Sequence, residues 1–396
     1  MTADDLPVLP FERPNMLDLA PSYHGLLRDK PVSKARTPIG DAGWLICGYD
    51  EVKGLLADNR LGRSHPDPAH AARYSGSMVQ GGPLGDPATE DSDYALMRRL
   101  LAPAFSARRM RMLHADVQAL VDHLCDRMAA QDSPVDIQKM ITYALPVMVI
   151  CRLLGVSADD RDQFRAWSDA ATALYDEHHA AEGFAALAKY MERLIKTKRE
   201  EPADDLVSDL VAATEDETVT DGYLSMLVAG LLFAGHETTV LRLDYGTLYL
   251  LARPEPKKLI HDNPALVPGA VEEILRLGAP GRPPLLHYAR VDIEISGEEI
   301  KAGDLVLLAL EAANQDCRVF PDPARFDVTR RPNPHLTFGH GRHFCLGASL
   351  ARMEMEILFS TLFERFPALQ LAVSLDEMRK YENPATGGLH ELPVTW

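Results

Sequence analysis

Phe338-Gly339-His340-Gly341-Arg342-His343-Phe344-Cys345-Leu346-Gly347 is the stretch from which the rest of this chain is read. Its glycines let backbone approach closely around a single cysteine, and an apolar, well-patterned helix from Leu346 to Phe366 begins at the sulfur. A thiolate that ligates a metal needs shelter from water, donors that tune the sulfur and room for the metal's other ligands. Amides of the first helical turn would stabilise negative charge on Cys345. A lone cysteine is ordinarily a small buried hydrophobe, but this setting points to a ligand. Zinc is the other metal to weigh, because His335, His340 and His343 stand close by. Their spacing fits no standard finger, and no second thiolate is near.

Outward from that loop, the chain has 396 residues, 46% hydrophobic and 25% charged, enough to bury a large core. No repeat, low-complexity tract or Gly/Ser linker interrupts it, so a single domain over residues 1–396 is the simplest expectation. Five scattered cysteines suit a reducing compartment. The acidic N-terminus shows no secretory pattern, and the densest apolar run, Met226 to Gly235, is short of the roughly 20 residues a bilayer span needs. The expectation is a cytoplasmic protein with no membrane segment. A formal net charge of −17 argues against nucleic acid as a general partner.

Long 3.6-residue periodicity from Leu96 to Phe366 predicts a mainly α fold with a small β region, its strands at Trp44 to Gly48, Val291 to Ile295 and Leu305 to Leu310. The longest helix starts at the Thr220-Asp221 cap and stops before Pro254, a rod of roughly 50 Å. Between Tyr223 and Ala234 nearly every residue is apolar, which predicts burial on all sides. At its middle stands Ala234-Gly235-His236-Glu237-Thr238-Thr239. A helical glycine costs about 1 kcal/mol, and an acid beside a hydroxyl costs desolvation, so something offsets both. A kinked helix with a satisfied polar pair is one reading. An oxygen-binding groove is the other: Gly235 removes bulk and the Thr238 hydroxyl bonds the Ala234 carbonyl, opening the helix locally. His236-Glu237 does not begin a zinc-protease His-Glu-x-x-His pattern, because Val240 stands at the second histidine position. Further on, Glu273 and Arg276 lie three apart on one helix face.

Together these stretches resemble the cytochrome P-450 haem-thiolate monooxygenases of soluble bacterial type, with Phe338, Gly341, Cys345 and Gly347 at the family's spacing. The resemblance spans nearly the whole chain and implies the P-450 fold, with haem b between the long interior helix and the helix after the cysteine loop. It makes Cys345 the iron ligand, whose sulfur pushes electron density toward O–O cleavage, as is established for this family. By the same match His343 contacts a haem propionate and Gly235 belongs to the cofactor's surroundings. Thr238 is the proton-delivering hydroxyl, Glu237 its acidic neighbour, and Glu273 with Arg276 a structural pair, with Arg325 as its third member. Arg98 matches a propionate-binding arginine. Tyr94 stands where relatives carry histidine, and His287 where they carry arginine; both depart from the family's propionate contacts, yet a phenol can still donate one hydrogen bond, and both are expected among the cofactor-binding residues.

The resemblance also implies substrate positions at the loop from Ser64 to Asp93 with a lid at Gly81-Gly82, at Phe233 and Ala234, at Pro283 to Leu286 including Leu285, and at Ala385 to Gly387 including Thr386. A second lid is expected from Ala171 to Phe184, with His178 and His179 facing solvent. These positions suit a hydrophobic small molecule, of the macrolide or polyketide kind, oxidised by hydroxylation or epoxidation with dioxygen. Arg98, Arg99, Arg108, Arg109 and Arg111 gather positive charge where an acidic ferredoxin, fed by an NAD(P)H-dependent reductase, would dock on a monomer. A peroxide-driven enzyme of the same class is the alternative, which Glu237-Thr238 argues against; a non-enzymatic haem gas sensor is the third.

Overall fold

The computed structural model describes residues 6–76, 81–157, 159–160, 163, 166–167, 177–214, 219–278, 280–379 and 388–396. In chain order the helices and strands are α1 (Pro21–Asp29), β1 (Val32–Arg36), β2 (Ala42–Ile46), α2 (Tyr49–Leu56), β3 (Leu61–Gly62), α3 (Glu90–Leu101), α4 (Ala107–Ala129), β4 (Val135–Asp136), α5 (Ala144–Leu154), α6 (Glu177–Glu200), α7 (Leu206–Ala213) and α8 (Asp221–Ala252). They continue as α9 (Pro254–Asp262), α10 (Val267–Leu277), β5 (Leu285–Ala289), β6 (Ile293–Ile295), β7 (Glu298–Ile300), β8 (Leu305–Leu308), α11 (Leu310–Ala313), α12 (Ala348–Arg365), β9 (Gln370–Leu371) and β10 (Pro393–Thr395). The fold is mainly α, and the chain divides into two compact units: Met1–Ala95 with Arg253–Cys345, and Leu96–Ala252 with Leu346–Trp396.

The first unit is organised by a five-stranded sheet in the order β1-β2-β8-β5-β3. β2 and β8 run parallel, and the other neighbours are antiparallel. All four residues of β8 are buried, as expected of an interior strand covered on both faces. Side-chain alternation sorts the sheet cleanly: Leu45, Leu286, Tyr288, Leu305 and Leu307 join one core cluster, while Trp44, Ile46, Val306 and Leu308 join the other. A β6-β7 hairpin turns at Ser296-Gly297, where Gly297 takes φ +81.

In the second unit α8 packs against α5 and α6, and α12 packs against α4 and α8. Thr220 caps α8 by accepting from the Tyr223 amide at 3.2 Å, and the helix ends one residue before Arg253-Pro254, since proline disfavours helical geometry in the residue before it. Burial along α8 corrects the sequence expectation. Its second half is the buried part, whereas Met226, Gly230, Ala234 and Thr238, spaced four apart, form an exposed stripe on the first half. Apolar composition alone hid this face. α8 is also long and apolar enough to cross a membrane by length and composition, with 53% of its apolar window buried inside the protein. The uninterrupted apolar run, Met226 to Gly235, is shorter because His236-Glu237 ends it.

Candidate active site

Cys345 ends the first unit, and its exposed thiol stands three residues before α12. The loop is shaped by its own backbone: the Gly339 amide donates to Leu336 O at 2.8 Å, Phe344 to Gly341 O at 3.1 Å and Cys345 to Phe338 O at 2.8 Å. Gly339 and Gly341 sit at φ +74 and +70, conformations that favour glycine. At Gly341 a Cβ would also lie 2.9 Å from Ala57 Cα, so this loop passes the end of α2 too closely for any side chain. Phe338 and Phe344 meet edge to face at 6.3 Å beside the cysteine. Gly347 occupies the N-cap position of α12 at φ −80, where glycine is not obligatory. Among the described residues no group of three or more His, Cys, Asp or Glu side chains could hold a metal, which removes the zinc reading.

Behind this loop in the chain's first unit lies the Glu273–Arg276 pair, both side chains fully buried. The guanidinium grips the carboxylate through Nε at 2.8 Å and Nη2 at 2.7 Å. Its remaining N–H groups go to the carbonyls of Asn314 (2.9 Å), Pro323 (2.7 Å) and Arg325 (3.1 Å), so all five donors are placed. Glu273 receives in addition the Asp327 amide, Asn333 Nδ2 and Arg330 Nε. The third charged member is therefore Arg330, a correction of Arg325. Arg325 points its side chain to solvent and contributes a backbone carbonyl instead.

Tyr94 and Arg98 lie one turn apart on α3, with Arg98 half-buried. The Tyr94 hydroxyl donates to the Arg342 carbonyl at 2.9 Å, and its ring lies 4.1 Å from that of His343. A phenol has one proton to give, and here it is given to the cysteine loop. His343 accepts from Arg342 Nε at 2.9 Å, and Arg342 pairs with Asp91. Asp91 is held well below the usual carboxylate range by hydrogen bonds from Arg290 and Arg342. On β5, His287 keeps a buried Nδ1 with no hydrogen-bond partner. Burial first, then Arg63 and His343, push its pKa down to about 3, so its ring is neutral.

In the second unit, Thr238 Oγ1 donates to the Ala234 carbonyl at 2.7 Å, the bond the sequence predicts. Thr238 is exposed and Glu237 half-buried. A methyl added at Gly235 would meet Ile150 Cδ1 at 3.4 Å, an ordinary contact, so packing within the protein does not demand glycine there. Two further buried acids of this unit escaped the sequence reading. Asp244 accepts from Gln138 Nε2 at 3.0 Å and from the Thr142 hydroxyl, and burial raises its pKa to about 7. Glu354 on α12 has a buried Oε2 without a partner, and burial raises it to about 8. Only a polar residue within an apolar period marks either one in the sequence.

Of the expected substrate positions, Leu285 (38% exposed) and Ala234 are open, whereas Leu286 is buried in the sheet core. Strand alternation puts Leu285 and His287 on one face and Leu286 on the other, so the expectation for Leu286 is corrected. Gly81 and Gly82 are buried, and the Gly81 carbonyl accepts from the Tyr74 amide at 2.7 Å. The side chains of Phe233, His178 and His179, and the segments 171–176 and 380–387 with Thr386, lie outside the described residues. In the basic cluster, Arg109 is tied to Asp204 and Asp209, while Arg99, Arg108 and Arg111 are exposed.

A soft thiolate at the start of a helix, a glycine-shaped loop too close-fitting for side chains, two aromatic rings beside the sulfur, and a hydroxyl bonded to its own helix at an exposed face suit a thiolate-ligated haem. The cytochrome P-450 family model matches residues 162–384. The chain is 42% identical to pentalenolactone synthase of Streptomyces exfoliatus, over 99% of this chain and 100% of that one. It is 38% identical to the mycinamicin IV hydroxylase/epoxidase of Micromonospora griseorubida, with full coverage of both. A solved structure of a variant of the mixed-function P-450 MycG with mycinamicin IV superposes with a TM-score of 0.91 at 38% identity, over 99% of this chain and 100% of that one. That of PimD, a pimaricin epoxidase, superposes at 0.89 and 36% identity with the same coverage. The chain belongs to the cytochrome P-450 family, and it is an oxygen-inserting oxidoreductase.

Proposed function

We propose that the chain works as one monooxygenase domain that binds haem b through Cys345 and places one oxygen atom, by hydroxylation or epoxidation, into an apolar secondary metabolite of the macrolide or polyketide kind. The observation that carries this is the cysteine loop, where positive-φ glycines and the 2.8 Å bond from the Cys345 amide to Phe338 O present the thiol at the start of α12. Haem bound there supplies the reductive activation of dioxygen. Thr238 then holds a proton at Oγ1, parked against the Ala234 carbonyl, and Glu237 passes protons to it. Ala234 and Leu285 offer apolar surface to the substrate. The relatives named for pentalenolactone, mycinamicin IV and pimaricin support this substrate class.

Electrons come from NAD(P)H through a reductase and an acidic ferredoxin in the cytoplasm, delivered to a monomer. Arg99, Arg108 and Arg111 supply the exposed charge for docking, and Arg109, neutralised by two aspartates, does not. Thr238→Ala tests the proton role: haem content and substrate binding stay at wild-type levels, while most of the reducing equivalents emerge as hydrogen peroxide instead of product. Unchanged coupling of NAD(P)H to product refutes it.

A further inference from the structure

Two buried nitrogens of the first unit have no partner of their own: Nε of Arg63 and Nδ1 of His287. Arg63 follows β3, with its backbone pinned on both sides. Its amide donates to Glu90 Oε1 at 2.6 Å, and its carbonyl accepts from the Leu84 amide at 2.8 Å. The guanidinium is less securely placed. Burial lowers its pKa, opposed by Glu90 and Tyr288. Glu90 cannot serve as its counter-ion, because its carboxylate already takes the Ser64 amide and hydroxyl and an ion pair with Arg290 at 3.0 Å. Among the described residues no carboxylate lies within ion-pair distance of Arg63.

His287 faces the same vacancy in charge. The groups acting on it are Arg63 and His343, which disfavour its protonation, and the Leu285 carbonyl and Glu90, which act weakly the other way. Gly62 pairs with Tyr288 across β3 and β5, which sets Arg63 beside His287, and the one carboxylate among these groups, Glu90, has its oxygens taken by the Arg63 and Ser64 amides, the Ser64 hydroxyl and Arg290. A buried donor left unsatisfied costs about 1 to 3 kcal/mol, so such a cluster persists where a ligand completes it. The ligand must be an anion with more than one acceptor oxygen, since the cluster offers a forked donor and a ring N–H. His343 lies two residues from Cys345, and the Tyr94 proton is already committed to the Arg342 carbonyl.

We propose that Arg63 and His287 together bind a carboxylate of the haem, Arg63 replacing in charge what Tyr94 and His287 lack as departures from the family pattern. This rests on the reading of Cys345 as the haem ligand. Arg63 had no motif to announce it, since only the fold brings residues 63 and 287 to one place.

The test uses holoenzyme and two variants, Arg63→Gln and His287→Leu, with haem transfer to excess apomyoglobin and the resonance Raman bending modes of the haem propionates as readouts. Arg63→Gln is expected to lose haem about tenfold faster, the equivalent of about 1.4 kcal/mol for one charge-assisted bond, and to shift a propionate mode. His287→Leu should shift the same mode with a smaller gain in rate, and Arg63→Lys should recover part of the retention. Wild-type transfer rates with unshifted modes overturn the proposal and leave the cluster to an anionic substrate group. Faster loss with unshifted modes overturns it too, because that is loosening of the fold. The haem-thiolate reading has a separate readout, the ferrous carbon monoxide spectrum of the wild type, which neither variant enters.

Discussion

Arg276 and Arg63 belong to the same unit and are surrounded by polar groups of opposite completeness. Arg276 is fully buried with five N–H groups on one carboxylate and three carbonyls, whereas Arg63 keeps a buried Nε with nothing to donate to. A network that closes on itself has no room for a ligand and acts as a brace. One that stays open is where a ligand belongs. The same contrast separates the acids: Glu273 receives five hydrogen bonds, and Glu354 has a buried oxygen that receives none.

Breaking the closed network should have the largest effect. Glu273→Gln leaves Arg276 buried beside a neutral amide, and removing one partner of such a pair costs about 3 to 5 kcal/mol. The expected outcome is little or no haem-bound protein on purification and a thermal transition lowered by many degrees. Near-normal yield and unfolding temperature would break the contrast.

Next comes the open acid. Folding raises the Glu354 pKa from its ordinary 4.5 to about 8 and that of Asp244 from 3.8 to about 7, so the folded state holds more protons than the unfolded one. Stability from these groups is complete below the ordinary carboxylate range and is lost as pH rises through their folded values. Each contributes a slope of at most about 1.4 kcal/mol per pH unit within its window. Thermal stability should therefore fall between pH 5 and about 8, and Glu354→Met, which removes the ionisable group, should flatten that loss. A variant with the wild-type pH profile contradicts the assignment.

Arg330→Ala deletes a bond to Glu273 at 3.2 Å and others to the carbonyls of Pro321, Asp322 and Arg325, and should cost about 1 to 2 kcal/mol in denaturant unfolding. Arg325→Ala keeps the carbonyl that Arg276 uses and should stay within about 0.5 kcal/mol. Equal losses from the two would show that the side chain at 325, not its backbone, joins the brace.

Much of the mainly α fold was legible because α8 is a long apolar stretch between the Thr220 cap and Pro254, and α12 is another that stops before Pro367. β8 was legible as an unbroken apolar run. β1, β3 and β5 were not: β1 reads Val32-Ser33-Lys34-Ala35-Arg36, and its identity depends on pairing with β2 rather than on its own pattern. In the site, the cysteine loop and the Thr238 to Ala234 bond follow from local spacing, so the sequence exposes them. The roles of Arg330, Arg63 and Leu286 depend on tertiary placement. Arg325 and Arg330 look alike in sequence, and only the course of the backbone decides which one turns inward. Leu285 and Leu286 are adjacent, and the sheet's two-residue period sends one outward and buries the other.

A thiolate from Cys345 on a haem iron is read out by the ferrous carbon monoxide difference spectrum of the purified wild-type holoenzyme. The expected result is a Soret band at the long-wavelength position given by a thiolate opposite carbon monoxide. A Soret band at the shorter wavelength of histidine-ligated haem, in protein shown to be folded, would contradict it.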